Sequence, residues 1–353
     1  MSLVNAGKIL RMFKRILWWA LLLCLLCGCD QLSWLKPPSG QQGSQPYVEL
    51  ELPEPPPDSS NSEPDQTRWG LLYFADSQKR FLVPVYRSIP YSETIIRDTL
   101  NRLLPSPEAA GLLEDQGLQY VIPEQSSIRG ISLNQGLARV DFSSSFLNYV
   151  PEDERLVLGS ILCTLRQFPE IEQLQILVEG AEIERFPGET SGLVPLGPEC
   201  WINLEVEEGL EDYRNFSAVI VYFCYCSPAG KTFYVPVTRI LAPDEQPGAA
   251  AFRELLGGPR PGSGLFSEIP EGTELLQLTN GGPLLTLNFS KQLLSYPGGK
   301  TGAENMVYQL LLTAAAIPGV EQVQIIIDGQ PVNIPGELDL SAPLSPPVLI
   351  NCF

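Results

Sequence analysis

The stretch PEIEQLQILVEG at residues 169–180 returns as PGVEQVQIIIDG at residues 318–329, an offset of 149 residues. Six of the twelve positions are identical, and five others exchange one aliphatic residue for another or Glu for Asp. In the first copy Leu174, Ile176 and Val178 alternate with other residues, a pattern that predicts a strand with one buried face. A match this dense at a fixed offset indicates an internal duplication.

Other pairs of segments extend the duplication in both directions. These pairs are RFLVPVYRSI (80–89) with TFYVPVTRIL (232–241), TLNRLLPSP (99–107) with AFRELLGGP (251–259), ARVDFSSSFLNY (138–149) with LTLNFSKQLLSY (285–296), and VPLGPECWINL (194–204) with APLSPPVLINC (342–352). The offset drifts by only a few residues, in Pro/Gly-rich loops that tolerate insertions. We therefore predict two copies of one domain, at 68–204 and 216–353, joined by a solvated acidic linker at 205–215.

Periodicity within each copy predicts the element order β-β-α-β-β-α-β. In the first copy, a helix beginning after Ser92 has an apolar face and stops at Pro105. A second helix follows Pro151, and its apolar residues also recur at helical spacing. The predicted fold class is therefore α+β, with the helices on one face of a small mixed sheet in each domain.

The charge balance excludes several classes of partner. The chain has 23 basic and 41 acidic residues, a net charge of −18. Such a protein lacks the basic surface that nucleic-acid binding needs. Its acidity also argues against an electrostatic attachment to anionic lipid, so any membrane attachment must be covalent or apolar.

Histidine is absent from the whole chain. This excludes Ser–His and Cys–His nucleophile pairs and any histidine-ligated metal site. The commonest general base is missing as well. Chemistry that uses carboxylates, Lys or Cys stays open on this ground. No polar constellation recurs in the two copies, however, so we expect no cofactor, no metal and a protein that is not an enzyme.

The N-terminus has the features of a signal peptide. Four basic residues precede an unbroken apolar run of eleven, Ile16 to Leu26, which is short for a membrane span. The run leads into Leu26-Cys27-Gly28-Cys29, which resembles the bacterial lipobox. By that resemblance residues 1–28 are removed and Cys29 is lipidated, which anchors the protein to membrane lipid. The alternatives are an uncleaved N-terminal anchor and an ordinary secreted protein.

Residues 29–67 are predicted to be a disordered tether. Eight prolines lie among Gln, Ser, Gly and Glu, with almost no periodic apolar pattern. Such a composition cannot form a packed core and favours an extended spacer. The tether would hold the two domains away from the membrane.

Acidic residues in two places are candidates for chemical sites. Asp141 and Asn288 share one repeat position, and a catalytic carboxylate would not be expected to become Asn in its twin. Turn formation or capping suits both residue types. The acidic run Glu152-Asp153-Glu154 begins a helix, where negative charge is favourable, and no further ligands are spaced around it. We predict structural roles for all of them.

Cysteine leaves alternatives open. Once residues 1–28 are removed and Cys29 is lipidated, the remaining thiols are Cys163, Cys200, Cys224, Cys226 and Cys352. Cys163 is predicted to be a buried small hydrophobe. Cys224 and Cys226 lie two residues apart on one strand, and either could pair with Cys352. A metal hook at C-x-C lacks the second pair that zinc requires.

Two further features favour structural interpretations. PRPGSGLF at 259–266 is Gly-rich but lacks the Lys-Ser/Thr of a phosphate-binding loop. Trp69 and Trp201 stand at the start and end of the first domain, where they are expected to close its core.

The stretch from ARVDFSSSFLN to FPEIEQLQILVEG, and its counterpart from LTLNFSKQLLSY to IPGVEQVQIIIDG, are similar to the GerMN domain. Two such domains behind a lipobox and a spacer resemble the GerM family of sporulation and germination lipoproteins. The resemblance implies a fold akin to the ring-building motif. It also implies a location between the mother-cell and forespore membranes, close to the channel that joins the two cells.

Three functional hypotheses follow. The first is a non-enzymatic, membrane-anchored assembly or scaffold protein whose sheet edges and helix faces pack against other copies or other envelope or sporulation channel proteins. The second is an envelope-remodelling enzyme that uses paired carboxylates, for which Glu179 and Asp328 are the residues held in both copies. The third is an extracytoplasmic ligand-binding lipoprotein, a class that usually has larger lobes and a hinge.

Overall fold

The computed structural model describes residues 67–90, 92, 94–197, 202–210, 215–244, 246–296, 299–334 and 338–353. All of them belong to one compact unit, Tyr47–Phe353. The predicted signal peptide, Cys29 and nearly all of the predicted tether lie outside the described residues. In the part that is described, none of the helices has the length and apolar character needed to cross a membrane.

The described part of the first domain has seven strands and three α-helices. The strands are β1 (Thr67–Asp76), β2 (Leu82–Pro90), β3 (Leu118–Gln119), β4 (Ile128–Asn134), β5 (Leu137–Phe142), β6 (Gln173–Val178) and β7 (Ala181–Glu182), and the helices are α1 (Ile95–Asn101), α2 (Pro107–Asp115) and α3 (Glu154–Leu165). They form one sheet of order β2-β1-β3 and another of order β4-β5-β6-β7. Helix α3 connects β5 to β6, which run parallel and therefore need a crossover connection.

The second domain repeats this arrangement. Its strands are β8 (Glu205–Val206), β9 (Ser217–Cys226), β10 (Thr232–Leu241), β11 (Leu275–Asn280), β12 (Leu284–Phe289), β13 (Gln322–Ile327), β14 (Gln330–Pro331), β15 (Asn333–Ile334) and β16 (Leu338–Asp339), and its helices are α4 (Pro247–Leu256) and α5 (Gly299–Ala315). The main sheets have the orders β8-β10-β9 and β11-β12-β13-β14. Strands β12 and β13 run parallel from Leu284↔Gln322, as β5 and β6 do from Leu137↔Gln173.

The predicted duplication and the α+β fold class are confirmed. The duplicated strand buries Leu174, Ile176 and Val178 on one face in the first copy. The second copy buries Val323, Ile325 and Ile327 in the same way. Both helices that cross between parallel strands are buried over most of their length, because α3 packs on β1, β2 and α1, and α5 packs on β9 and α4.

The pairing of the strands differs from the single mixed sheet that was predicted. In each domain the first two strands form one sheet and the duplicated strand lies in another. In the first domain the helical connection after β2 separates the two ladders, and it contains α2, which the sequence did not predict. Strands β4 and β11 each carry an irregularity in register, between Ile128 and Gly130 and between Leu275 and Gln277. Bulges of this kind increase local twist.

The start of the predicted linker also differs from expectation. Residues Glu205 and Val206 form β8, which pairs parallel with β10 at Arg239 and Ile240. The Glu205 carboxylate accepts a hydrogen bond from Arg239 at 2.9 Å and lies 3.3 Å from the Arg260 guanidinium. This end of the linker is therefore part of the second domain rather than a solvated spacer, because its acidic side chain binds two arginines.

Candidate functional site

Two asparagines at matching repeat positions, Asn203 and Asn351, link the domains. The Asn203 side-chain oxygen accepts the backbone N–H of Leu82 at 2.7 Å. Its amide group donates to the backbone oxygens of Leu82 and Pro236, each at 2.8 Å. Leu82 lies in β2 and Pro236 in β10, so one side chain bridges a strand from each domain.

Asn351 makes the reciprocal contacts. Its side-chain oxygen accepts the backbone N–H of Tyr234 at 2.8 Å, and its amide donates to the oxygens of Tyr234 at 2.8 Å and Pro84 at 2.7 Å. Asn203 and Asn351 both have left-handed backbone conformations, with φ of 49° and 58°. Asparagine tolerates this region better than most residues. We call these two residues the asparagine clamps.

Aromatic side chains continue the first domain's core across the junction. The rings of Phe81 and Tyr225 meet edge to face at 5.3 Å, and Phe233 lies next to Tyr225 and Phe353 at 6.3 and 6.1 Å. The Tyr225 hydroxyl donates to the backbone oxygen of Gly117 at 3.1 Å. Phe233 is fully buried, and it belongs with Phe81 and Tyr225 to one continuous apolar core. We call Phe81, Tyr225, Phe233 and Phe353 the junction cluster.

Each domain also presents an exposed sheet edge. Among the described residues, β4 and β11 are each paired with one neighbouring strand, β5 and β12 respectively. Leu133 in β4 is 40% exposed and Leu276 in β11 is 49% exposed. The outer side of such a strand offers N–H and C=O groups to another strand. These two edge strands are therefore surfaces that could bind another polypeptide by strand pairing.

Asp141 and Asn288 have the turn role that was expected of them. The Asp141 side chain accepts the backbone N–H of Gly180 at 2.8 Å, and Asn288 accepts that of Gly329 at 2.9 Å. A side-chain oxygen is the one group needed, and Asp and Asn both supply it. The exchange of Asp for Asn at this repeat position is therefore explained by the shared hydrogen bond, with no need for a catalytic role.

Glu179 and Asp328 precede those glycines and have left-handed φ values of 53° and 46°. Glu179 forms an ion pair with Arg129 and accepts the backbone N–H of Ser144 at 2.9 Å. Asp328 lies 3.3 Å from the Lys291 ammonium. Each carboxylate is thus exposed and engaged within its own domain, an arrangement that stabilises a turn.

In the acidic run Glu152-Asp153-Glu154, the side chains of Asp153 and Glu154 bind groups from distant parts of the first domain. Glu154 is 4% exposed and accepts backbone N–H groups from Gly188 and Thr190. Asp153 forms an ion pair with Lys79. Within the described ranges, no three acidic, cysteine or histidine residues are grouped so that they could hold a metal ion.

The cysteines differ in exposure. Cys163 and Cys224 are buried, Cys352 is half-buried and Cys226 is exposed, while Cys200 lies outside the described residues. Cys224, Cys226 and Cys352 have free thiols, so the pairing considered for Cys352 is not formed. Burial raises the pKa of the Cys224 thiol, and the nearby Glu268 charge raises it further. A thiol held protonated in this way is a poor nucleophile.

The Gly-rich segment 259–266 closes the edge of β9. Phe266 exchanges two backbone hydrogen bonds with Cys224, each at 2.8 Å. Arg260 near its start binds Glu205. The Gly-rich segment therefore has the structural role that was expected.

Trp69 is half-buried in β1 opposite Ser88, and Trp201 lies outside the described residues.

Comparisons with known proteins match both copies of the repeat. The family model described as "Germane: Sporulation and spore germination" matches residues 71–184 and 220–333. The spore germination protein GerM of Bacillus subtilis (strain 168) is 28% identical over 289 residues, which cover 79% of this chain and 77% of that protein. The solved tandem GerMN domains of the sporulation protein GerM from Bacillus subtilis align with a TM-score of 0.68 and 27% identity, covering 81% of this chain and 99% of that one.

Proposed function

Because the chain belongs to the Germane family of sporulation and spore germination proteins and carries two tandem GerMN domains, we propose that it is a non-enzymatic, membrane-anchored assembly protein. Its task is to scaffold other envelope or channel proteins, or further copies of itself, during sporulation or germination. It acts in the space between the mother-cell and forespore membranes. The chain associates through its sheet edges, in a ring or edge to edge.

The observation that carries this proposal is the pair of edge strands on one compact unit. The asparagine clamps and the junction cluster fix the first domain against the second. The strands β4 and β11 therefore stand at set positions on the same molecule. A body with two binding edges can link two neighbours, which is what a scaffold requires.

The other two hypotheses, an envelope-remodelling enzyme and a hinged ligand-binding protein, have less support from the structure. An envelope-remodelling enzyme needs acidic residues that converge in a cleft, whereas Glu179 and Asp328 are each paired with a basic residue of their own domain. A ligand-binding protein that closes about a hinge needs lobes that move apart. Here a continuous core crosses between the domains.

Cys29 is the residue that anchors the chain in this proposal. We expect Cys29→Ser to move the protein from the membrane fraction to the soluble fraction, because the acyl chains supply the apolar attachment. Fractionation of cells and imaging of a fluorescent fusion through sporulation measure this. Cys226→Ser, which changes an exposed thiol in β9, is the matched control and keeps the membrane location. Retention of Cys29→Ser at the membrane would contradict lipid anchoring.

The edge strands give a second test. The double variant Leu133→Lys with Leu276→Lys places a charge on each edge strand, a substitution that opposes edge-to-edge pairing. We expect at least a tenfold loss of self-association, or of association with partner proteins, with the fold intact. Sedimentation velocity and cross-linking measure association, and circular dichroism measures the fold.

The control for the edge variants is Leu193→Lys with Leu294→Lys, which makes the same change at two leucines that are 54% and 41% exposed outside the edge strands. It should associate like the wild type. Equal association of both double variants would reject the edge strands as the binding surface. Wild-type spore yield after a clean deletion of the gene would reject the role in sporulation itself.

A further inference from the structure

Arg87 and Arg239 occupy the same repeat position, 152 residues apart, but their surroundings differ. Arg239 is 6% exposed. Its guanidinium donates to the carboxylates of Glu205 at 2.9 Å and Glu254 at 3.0 Å, and to the backbone oxygens of Glu254 and Gly258. The charge of Arg239 is therefore neutralised within its own domain.

The first domain has a second arginine where the second domain has this glutamate. Position 102 corresponds to Glu254 in the register of the repeat, and it is Arg102. The guanidinium groups of Arg87 and Arg102 form no hydrogen bond or ion pair with any residue that the structure describes. Arg87 stacks on the ring of Phe353 at 4.9 Å. Half-buried Arg87 and exposed Arg102 thus both lack a directly bonded counter-charge among the described residues, in a chain of net charge −18.

Both arginines line a cavity of about 380 Å³ between the first sheet and helices α1 and α2. The apolar part of its wall is formed by Leu72, Phe74, Leu104, Leu112, Leu113 and Tyr120. Glu108 is the single carboxylate among the described residues that line it, and it forms no ion pair with either arginine. Burial lowers the pKa of Arg87; the nearby Tyr120 raises it, and the charge of Arg102 lowers it. A guanidinium nevertheless stays protonated, so the site keeps its charge.

We propose that this cavity binds a small organic anion, a carboxylate attached to a compact apolar group. The second domain shows which chemistry satisfies this arginine position, since carboxylates occupy it there. Guanidinium groups bind carboxylates through paired charge-assisted hydrogen bonds. The aliphatic and aromatic walls bind the apolar part. The second domain also has a cavity, of about 310 Å³, beside Arg239. There, however, the arginine is already bound by Glu205 and Glu254, so we expect the organic anion to bind in the first domain.

The proposal is tested with the full chain in a non-ionic detergent at low ionic strength. Three probes separate the contributions: phenylacetate has the charge and an apolar ring, inorganic phosphate has charge alone, and 2-phenylethylammonium has the ring with the opposite charge. Titration calorimetry and ligand-observed NMR report affinity and stoichiometry. We expect phenylacetate to bind once per chain, phosphate to bind at least tenfold more weakly, and the ammonium compound to show no binding.

Arg102→Glu copies the second domain's arrangement into the first. We expect it to weaken phenylacetate binding at least tenfold and to raise the melting temperature by about 2–4 °C, because the introduced carboxylate gives Arg87 an internal partner. Arg102→Gln removes the charge without supplying a partner, so it should weaken binding with no gain in stability. The matched control is Arg139→Glu, the same charge reversal on the exposed side of β5, which should bind like the wild type.

Several outcomes would overturn the proposal. One is a wild-type chain that fails to bind phenylacetate or binds all three probes alike. Another is Arg102→Glu binding phenylacetate as tightly as Arg139→Glu. The third is phenylacetate binding that emerges only after Glu49→Gln and Glu51→Gln are introduced together. These two glutamates precede β1 in the chain and lie outside the described residues. That result would assign the site to the chain's own carboxylates rather than to a ligand.

Discussion

Replacing Asn351 with alanine is expected to lower the free energy of unfolding by about 3–5 kcal/mol. The substitution leaves the N–H and oxygen of Tyr234 and the oxygen of Pro84 without partners. Asn351 is 7% exposed, so these groups lose their bonds where little water can replace them, at about 1–3 kcal/mol for each unsatisfied group. Alanine also disfavours the left-handed backbone at this position, by about 1–2 kcal/mol.

Urea-induced unfolding, followed by circular dichroism, measures this loss. Asn203→Ala should cost a similar amount, because its side chain makes the equivalent three hydrogen bonds. Asn134→Ala, at the exposed end of β4, is the control and should change the free energy of unfolding by less than about 0.5 kcal/mol. If Asn351→Ala matched that control, the clamps would not contribute to the junction's stability.

Replacing Phe233 with alanine is expected to cost about 3–5 kcal/mol as well, the usual loss for a fully buried aromatic residue. Its second effect distinguishes it from other core substitutions. The ring connects Tyr225 to Phe353 in the junction cluster, so its removal weakens the coupling between the domains. We expect the wild type to unfold in one transition and Phe233→Ala to unfold in two.

The control for Phe233→Ala is Phe252→Ala. Phe252 is equally buried, but it packs on Phe289 within the second domain's own core. Both variants should lose similar stability in differential scanning calorimetry. Calorimetry of Phe233→Ala should resolve two transitions. In urea, the free energy of unfolding for each transition should depend less steeply on denaturant concentration than the single wild-type transition does. A single transition in both variants would show that the junction cluster does not couple the domains.

Local pattern was sufficient to predict the duplicated strand, the helices that lead into it and the duplication itself, although it missed α2 and β8. The alternation around Leu174 and Val178 placed the duplicated strand, and its recurrence placed the second copy. Asp141 and Asn288 were interpreted correctly because the repeat itself showed that either residue serves. Comparing two copies within one chain thus separated structural residues from candidates for catalysis.

The junction could not be predicted, because its contacts depend on how distant segments meet. Asn203 and Pro236, or Asn351 and Pro84, are far apart in the chain, and no periodicity links them. The division of each domain into two sheets was missed for a related reason, since alternation identifies a strand but not its partner. A signal was nevertheless present: the two asparagines stand at matching positions, in WINL and LINC.

The crossed asparagine contacts also define what one repeat would do alone. A solitary repeat carries both halves of the contact, the terminal asparagine and the strand that receives it. Two identical solitary repeats are therefore complementary about a twofold axis. The asparagine near the end of each repeat would bind the second strand of the other, as in an isologous homodimer. Gene duplication has placed in a single polypeptide the interface that a symmetric pair of subunits would otherwise assemble.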